Sequence, residues 1–103
     1  MARWVRIAST DECLPGKSLE TVADDRIVAI YNVDGEYFAL DGVCPHQGGP
    51  LGKGCLTGTV VTCPWHGWQF DVRTGQHTFS PSVRQPTLAL RVEDGEIFVE
   101  LDC

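Results

Sequence analysis

Hydrophobic and polar residues alternate with a period of two at both ends of this chain. Arg3/Trp4/Val5/Arg6/Ile7 predicts a strand over Arg3–Ala8. Trp4 is expected in the core, where its indole N–H needs a partner. Pro15-Gly16 predicts a turn. Arg26–Val33 is rich in Val and Ile and reads as a strand. Glu36–Leu40 follows across Asp34-Gly35 and carries two aromatics. Two strand-like runs joined by Asp-Gly predict a hairpin, because both turn positions need φ > 0. Thr59–Thr62 and Trp68–Val72 predict two short strands, the second ending at Thr74-Gly75. Leu88–Val92 and Ile97–Leu101 flank Asp94-Gly95 and predict a second hairpin. With no 3.6-residue period, internal repeat or low-complexity tract, the fold class is all-β.

A length of 103 residues fits a single domain, 1–103, large enough for a real core but with little surplus. Hydrophobic content of 43% and charged content of 21% are ordinary for a soluble globular chain. No apolar run approaches the ~18 residues of a membrane span, and Met1-Ala2-Arg3-Trp4 lacks an apolar signal region. No membrane association is expected.

The net charge of −6 is unevenly placed. Residues 42–80 hold Asp71 against Lys53 and Arg73, a net of +1, and eight of the eleven glycines. The remainder carries −7. An acidic balance argues against nucleic acid, whose binding rests on Lys and Arg neutralising phosphates. Solubility is the simplest role of the acidic surface. The Gly-rich middle has few aliphatic side chains, so it is expected to depend on a bound metal for order.

That middle carries the candidate chemistry. Cys44-Pro45-His46 is followed, after sixteen residues, by Cys63-Pro64-Trp65-His66. Each loop offers one thiolate and one imidazole, donors that select iron–sulfur clusters or zinc over hard cations. Two such pairs on facing loops can hold a dinuclear centre, with two thiolates on one iron and two imidazoles on the other. Zinc sites more often pair Cys with Cys and His with His locally, which argues against a Cys2His2 zinc site.

The boxes Cys44-Pro45-His46-Gln47-Gly48 and Cys63-Pro64-Trp65-His66-Gly67 resemble those of the Rieske [2Fe-2S] family. The likeness extends through Pro50-Leu51 and through Trp68-Gln69-Phe70-Asp71 to Thr74-Gly75, roughly the middle third of the chain. It implies antiparallel sheets, a β-sandwich base, carrying a small cluster-binding subdomain at about 42–80. It implies one [2Fe-2S] cluster, with Cys44 and Cys63 on one iron and His46 and His66 on the other. Glycine amides near the cluster would donate to its sulfurs.

Within that family, respiratory members are membrane-tethered and carry an extra Cys in each loop, joined as a disulfide. The matching positions here are Gly49 and Trp65. They also carry a Ser and a Tyr that donate to cluster sulfurs, where this chain has Trp68 and Phe70. Fewer donors to the reduced cluster imply a low potential within the family's span of roughly −150 to +300 mV. The pattern resembles the ferredoxins of bacterial ring-hydroxylating oxygenase systems. It implies a non-enzymatic, cytoplasmic one-electron carrier between a flavin- and nicotinamide-dependent ferredoxin reductase and a terminal oxygenase. A shuttling carrier is most simply monomeric.

His66-Gly67-Trp68 also resembles the Rieske domain of oxygenase catalytic subunits. Those need a further mononuclear iron site with two His and a carboxylate, and only His77 remains here beyond the boxes. The small Rieske-like subunit of assimilatory nitrite reductase is a second alternative, and a cluster-bearing regulatory module a third. Many of the nitrite reductase subunits lack the ligands, whereas all four stand here.

His77 is expected to be an exposed loop residue. Cys13 and Cys55 are expected to be small, partly buried apolar residues, and Cys103 a terminal thiol. The odd cysteine count fits a reducing compartment rather than a disulfide framework. Trp68 is expected to pack beneath the loops. Trp65 either covers the cluster or faces a partner. Pro81 belongs either to a third, shielding loop or to an ordinary turn.

Overall fold

The computed structural model describes residues 2–43, 49–65, 67–80 and 82–102. Three antiparallel sheets account for most of them. β1 (Ala2–Ser9), β9 (Leu90–Glu93) and β10 (Glu96–Asp102) form one sheet in the order β1-β10-β9. β2 (Ser18–Ala23), β3 (Arg26–Val33), β4 (Glu36–Asp41) and β8 (Thr87–Leu88) form the second, in the order β2-β3-β4-β8. β5 (Cys55–Thr57), β6 (Val60–Thr62) and β7 (Gln69–Asp71) form the third in sequence order.

Both Asp-Gly hairpins form as the sequence predicts. Val33 pairs with Glu36 across Asp34 and Gly35, whose φ values are +51° and +93°. Glu93 pairs with Glu96 across Asp94 and Gly95, at +51° and +76°. A positive φ at both positions matches the right-handed twist of the flanking strands.

Two features depart from the predicted pattern. β2 pairs with β3 across Asp24-Asp25, where Asp24 adopts φ +57°. This hairpin has no glycine, and aspartate is one of the few other residues that enter the left-handed region readily. The predicted strand Leu88–Val92 is interrupted at Ala89, so that β8 joins the second sheet and β9 the first. The chain changes sheets at that residue.

The central sheet is buried on both faces. Val28, Ile30 and Ala39 face one core with Ala8, Cys13, Ala23, Ile97, Val99 and Leu101. Their alternates Ala29, Tyr31 and Leu40 face a second core with Leu51, Val61, Cys63, Phe70 and Val72. Side chains point alternately to opposite faces of a strand, so a strand covered on both sides is apolar without interruption. That explains the unbroken run in β3. It also gives residues 51–72 an apolar anchorage that their modest aliphatic content did not suggest.

Trp4 corrects one expectation. It is 37% exposed, on the outer face of β1, because Val5 and Ile7 take the core face. The Arg91 guanidinium lies 4.6 Å from its ring centroid, a cation–π contact on the surface.

Candidate metal centre

The residues that flank each candidate box close a loop. The first follows β4. Gly42 donates its N–H to Ile27 at 2.9 Å, Leu51 donates back to Gly42 at 3.0 Å, and Val43 bridges Pro50. The second lies between β6 and β7, where Cys63 donates its N–H to the Trp68 carbonyl at 2.7 Å. Below it Thr62 pairs with Gln69, and the Gln69 amide donates to the Thr62 hydroxyl at 3.1 Å.

The two loops meet at Gly49. A Cβ added there would stand 2.7 Å from Cys63 Sγ and 3.1 Å from Trp65 Cβ. Only glycine permits so close an approach of one loop's backbone to the other loop's thiol.

Cys63 is buried, in the second core, with Leu51, Val61 and Phe70. Of the four expected ligands it is the one within the described residues. Cys44, His46 and His66 lie outside them, as do Pro81 and Cys103. The described geometry fits a sulfur-ligated metal group. A thiol is held in an apolar pocket at the seam of two loops, and a glycine stands where a side chain would crowd it. A thiolate here would be shielded from water, as an iron–sulfur ligand must be.

Three side chains fix the loops, and sequence reasoning assigned none of them this role. The buried Gln85 amide donates to the carbonyls of Asp41 and Val43, the latter at 2.7 Å, immediately before Cys44. Gln85 also donates its backbone N–H to Gly75 at 2.7 Å. The Tyr31 hydroxyl donates to Leu51 at 2.8 Å, just after the first box.

His77 is the third, and it overturns its expected exposure. It is buried, edge-on to Trp68 at 4.8 Å and to Phe70 at 5.2 Å between ring centroids. Its Nδ1 accepts N–H groups from Phe79 and Ser80, each at 3.1 Å. The signal available in the sequence was the Trp68-x-Phe70 pair, which period two places on one face of the chain as it enters β7. Trp68 packs beneath the loops as expected, while Trp65 is 49% exposed.

The other cysteines divide. Cys13 is completely buried, and burial pushes its thiol pKa up. Cys55 is exposed, against expectation, because β5 is an edge strand and turns Leu56 inward instead. Next to the second loop, Asp71 accepts from Arg73 Nη2 at 3.0 Å and from Arg73 Nε at 3.2 Å. Those charge-assisted bonds hold the Asp71 carboxyl below its ordinary pKa.

Known proteins share this architecture and much of this sequence. The biphenyl dioxygenase ferredoxin subunit of Pseudomonas sp. (strain KKS102) is 38% identical over 100 residues, covering 94% of this chain and 91% of the relative. The ferredoxin fold recurs, with a TM-score of 0.83, 30% identity and coverage of 93% and 91%, in a complex of reduced oxygenase and oxidized ferredoxin of carbazole 1,9a-dioxygenase. A chain assigned as the NADH-dependent nitrite reductase small subunit of Mycobacterium tuberculosis superposes with a TM-score of 0.88 at 25% identity, covering 100% and 98%. The profile of the Rieske [2Fe-2S] domain matches residues 3–99. With the glycine seam against a buried thiol and a match that spans both loops and the sheets beneath them, this chain belongs to the Rieske [2Fe-2S] domain family.

Proposed function

We propose that this protein is a one-electron carrier that passes electrons from a flavin- and nicotinamide-dependent ferredoxin reductase to a terminal oxygenase. The observation that carries this reading concerns His77. It is the one histidine beyond the two boxes, and it is committed to packing on Trp68 and Phe70 and to accepting two amides. An oxygenase site with two His and a carboxylate therefore has no histidines to draw on. The chain is a carrier, not the catalyst. Its likeness to dioxygenase ferredoxins supports the same role.

Cys44 and Cys63 hold one iron of the cluster and His46 and His66 the other. When bound, such a cluster supplies one-electron redox chemistry. The chain's own residues set its surroundings. Leu51, Val61 and Phe70 keep water from Cys63. Gly49 admits the facing loop. Phe70, buried and without a hydroxyl, cannot donate to the cluster, which favours a low potential. Residues of about 42–80 form the cluster-binding subdomain of a single domain spanning 1–103.

No helix of the described residues is long and apolar enough to cross a membrane. A fully buried free thiol at Cys13 suits a reducing cytoplasm. The acidic surface disfavours nucleic acid, and a monomer suits a shuttle.

The structural likeness to a nitrite reductase small subunit favours a second reading. Both are tested by mixing the purified holoprotein with NADH and a biphenyl-type ferredoxin reductase, then adding the cognate-class oxygenase. The carrier reading expects rapid bleaching of the visible spectrum followed by reoxidation on oxygenase addition. Reoxidation by a nitrite reductase large subunit and nitrite, and not by oxygenase, would favour the second reading instead.

A further inference from the structure

Beside the second box lies an open depression of about 470 Å³, lined by Gly67, Trp68, His77, Phe79, Ser80 and Val83. Trp68 and His77 line its floor, with His77 standing edge-on to Trp68 and to the fully buried Phe70 behind it. Its outer wall is the segment after His77. Val83 anchors the far end of that wall on the second core, but Phe79 at the turn is 84% exposed, and what holds the turn is polar. Thr78 donates its N–H to Gln69 at 3.0 Å, and His77 donates its backbone N–H to the Val83 carbonyl at 3.0 Å. The Gln76 amide reaches the Ser80 carbonyl at 3.3 Å. The two amides at the turn, those of Phe79 and Ser80, both end on His77 Nδ1. An atom that accepts from two N–H groups must present its lone pair, so the ring proton sits on Nε2.

We infer that His77 is a positioning residue for the cluster end of the molecule: its Nδ1 fixes the backbone of Phe79 and Ser80 as the outer wall of the depression beside Gly67 and Trp68. The inference rests on the carrier reading for its consequence, because Gly67 follows His66, an expected iron ligand. The wall limits water at that loop. Freeing it admits water, and water favours the more highly charged reduced form. His77 thus acts through the main chain of its own loop.

Two substitutions separate the acceptor from the ring. His77→Phe keeps an aromatic edge on Trp68 and Phe70 but removes the acceptor. His77→Asn keeps an acceptor at similar reach but removes the ring. Iron and acid-labile sulfide, hydrogen exchange by mass spectrometry over residues 78–83, and midpoint potential by voltammetry are measured on wild type and both variants. The expected result is normal iron and sulfide in both. In His77→Phe, exchange at the turn should be about tenfold faster or more, the factor for two lost ordinary hydrogen bonds, and the potential should rise. His77→Asn should keep the wild-type protection and potential, with lower thermal stability.

Wild-type exchange and potential in His77→Phe would overturn the inference and leave His77 as packing alone. Loss of protection in His77→Asn equal to that in His77→Phe would overturn it too, as would loss of iron from His77→Phe. Failure of the underlying carrier reading is distinct: reduced wild-type holoprotein would then not be reoxidised by the oxygenase.

Discussion

Replacing Gln85 by Ala probes how the first box is held. The side chain is 2% exposed and donates to the carbonyls of Asp41 and Val43 on the approach to Cys44. Alanine removes both donors and leaves two partly buried carbonyls without them. A typical hydrogen bond contributes about 0.5–1.5 kcal/mol net, and an orphaned buried group costs about 1–3 kcal/mol. Two bonds therefore place the loss at about 2–3 kcal/mol. In a domain of this size 1 kcal/mol moves Tm by about 4–8 °C, so the midpoint should fall by about 8–24 °C. Because the lost bonds sit at the mouth of the first loop, iron should leave below the temperature at which the sheets melt. Far-ultraviolet circular dichroism for the sheets, run beside visible absorption for the cluster, separates the two events. Gln85→Glu should be worse than alanine, since it aims an acceptor at two carbonyls. A Tm within about 4 °C of wild type, with the two transitions coincident, would refute the reasoning.

Other predictions follow from the same contacts. Phe70→Ala empties the centre of the second core and should cost about 3–5 kcal/mol in denaturant unfolding; a loss under about 1 kcal/mol would mean that this core is not packed as described. Cys63→Ser should abolish the visible spectrum while β1, β9 and β10 keep their circular dichroism, whereas normal iron content in that variant would remove Cys63 from the ligand set. The Asp71 carboxyl is held below its ordinary pKa by Arg73. Its contribution is therefore complete above about pH 4, the unfolded value, and is lost as pH falls through the lower folded value. Asp71→Asn should lower stability at neutral pH and flatten the acid limb of the stability–pH curve, and an unchanged acid limb would dismiss the interaction.

Much of the fold was legible because its signals are local. Asp34-Gly35 and Asp94-Gly95 specify their turns by backbone conformation alone, and the apolar run of β3 announces a strand. The two boxes were legible because the chemistry resides in residue type and spacing. What stayed hidden depends on partners distant in sequence. Gln85 reaches carbonyls 44 and 42 residues away, and nothing local to it marks a buried amide. His77 looked like loop because its neighbours are polar, yet β7 supplies an aromatic floor for it. Trp4 looked like core by size, but the alternation with Val5 and Ile7 decided its face. Cys55 was misjudged because edge position is a property of the sheet, not of the residue. β2 was missed because its turn, Asp24-Asp25, lacks the glycine that marks the other two.

The central claim is that facing Cys-x-His and Cys-x-x-His loops hold a Rieske-type cluster, and metal analysis of the freshly purified protein tests it most directly. Iron and acid-labile sulfide should be present in equal amounts, about two of each per chain, with a Rieske-type EPR signal after reduction. Stoichiometric zinc without labile sulfide, in protein purified under cluster-preserving conditions, would contradict it.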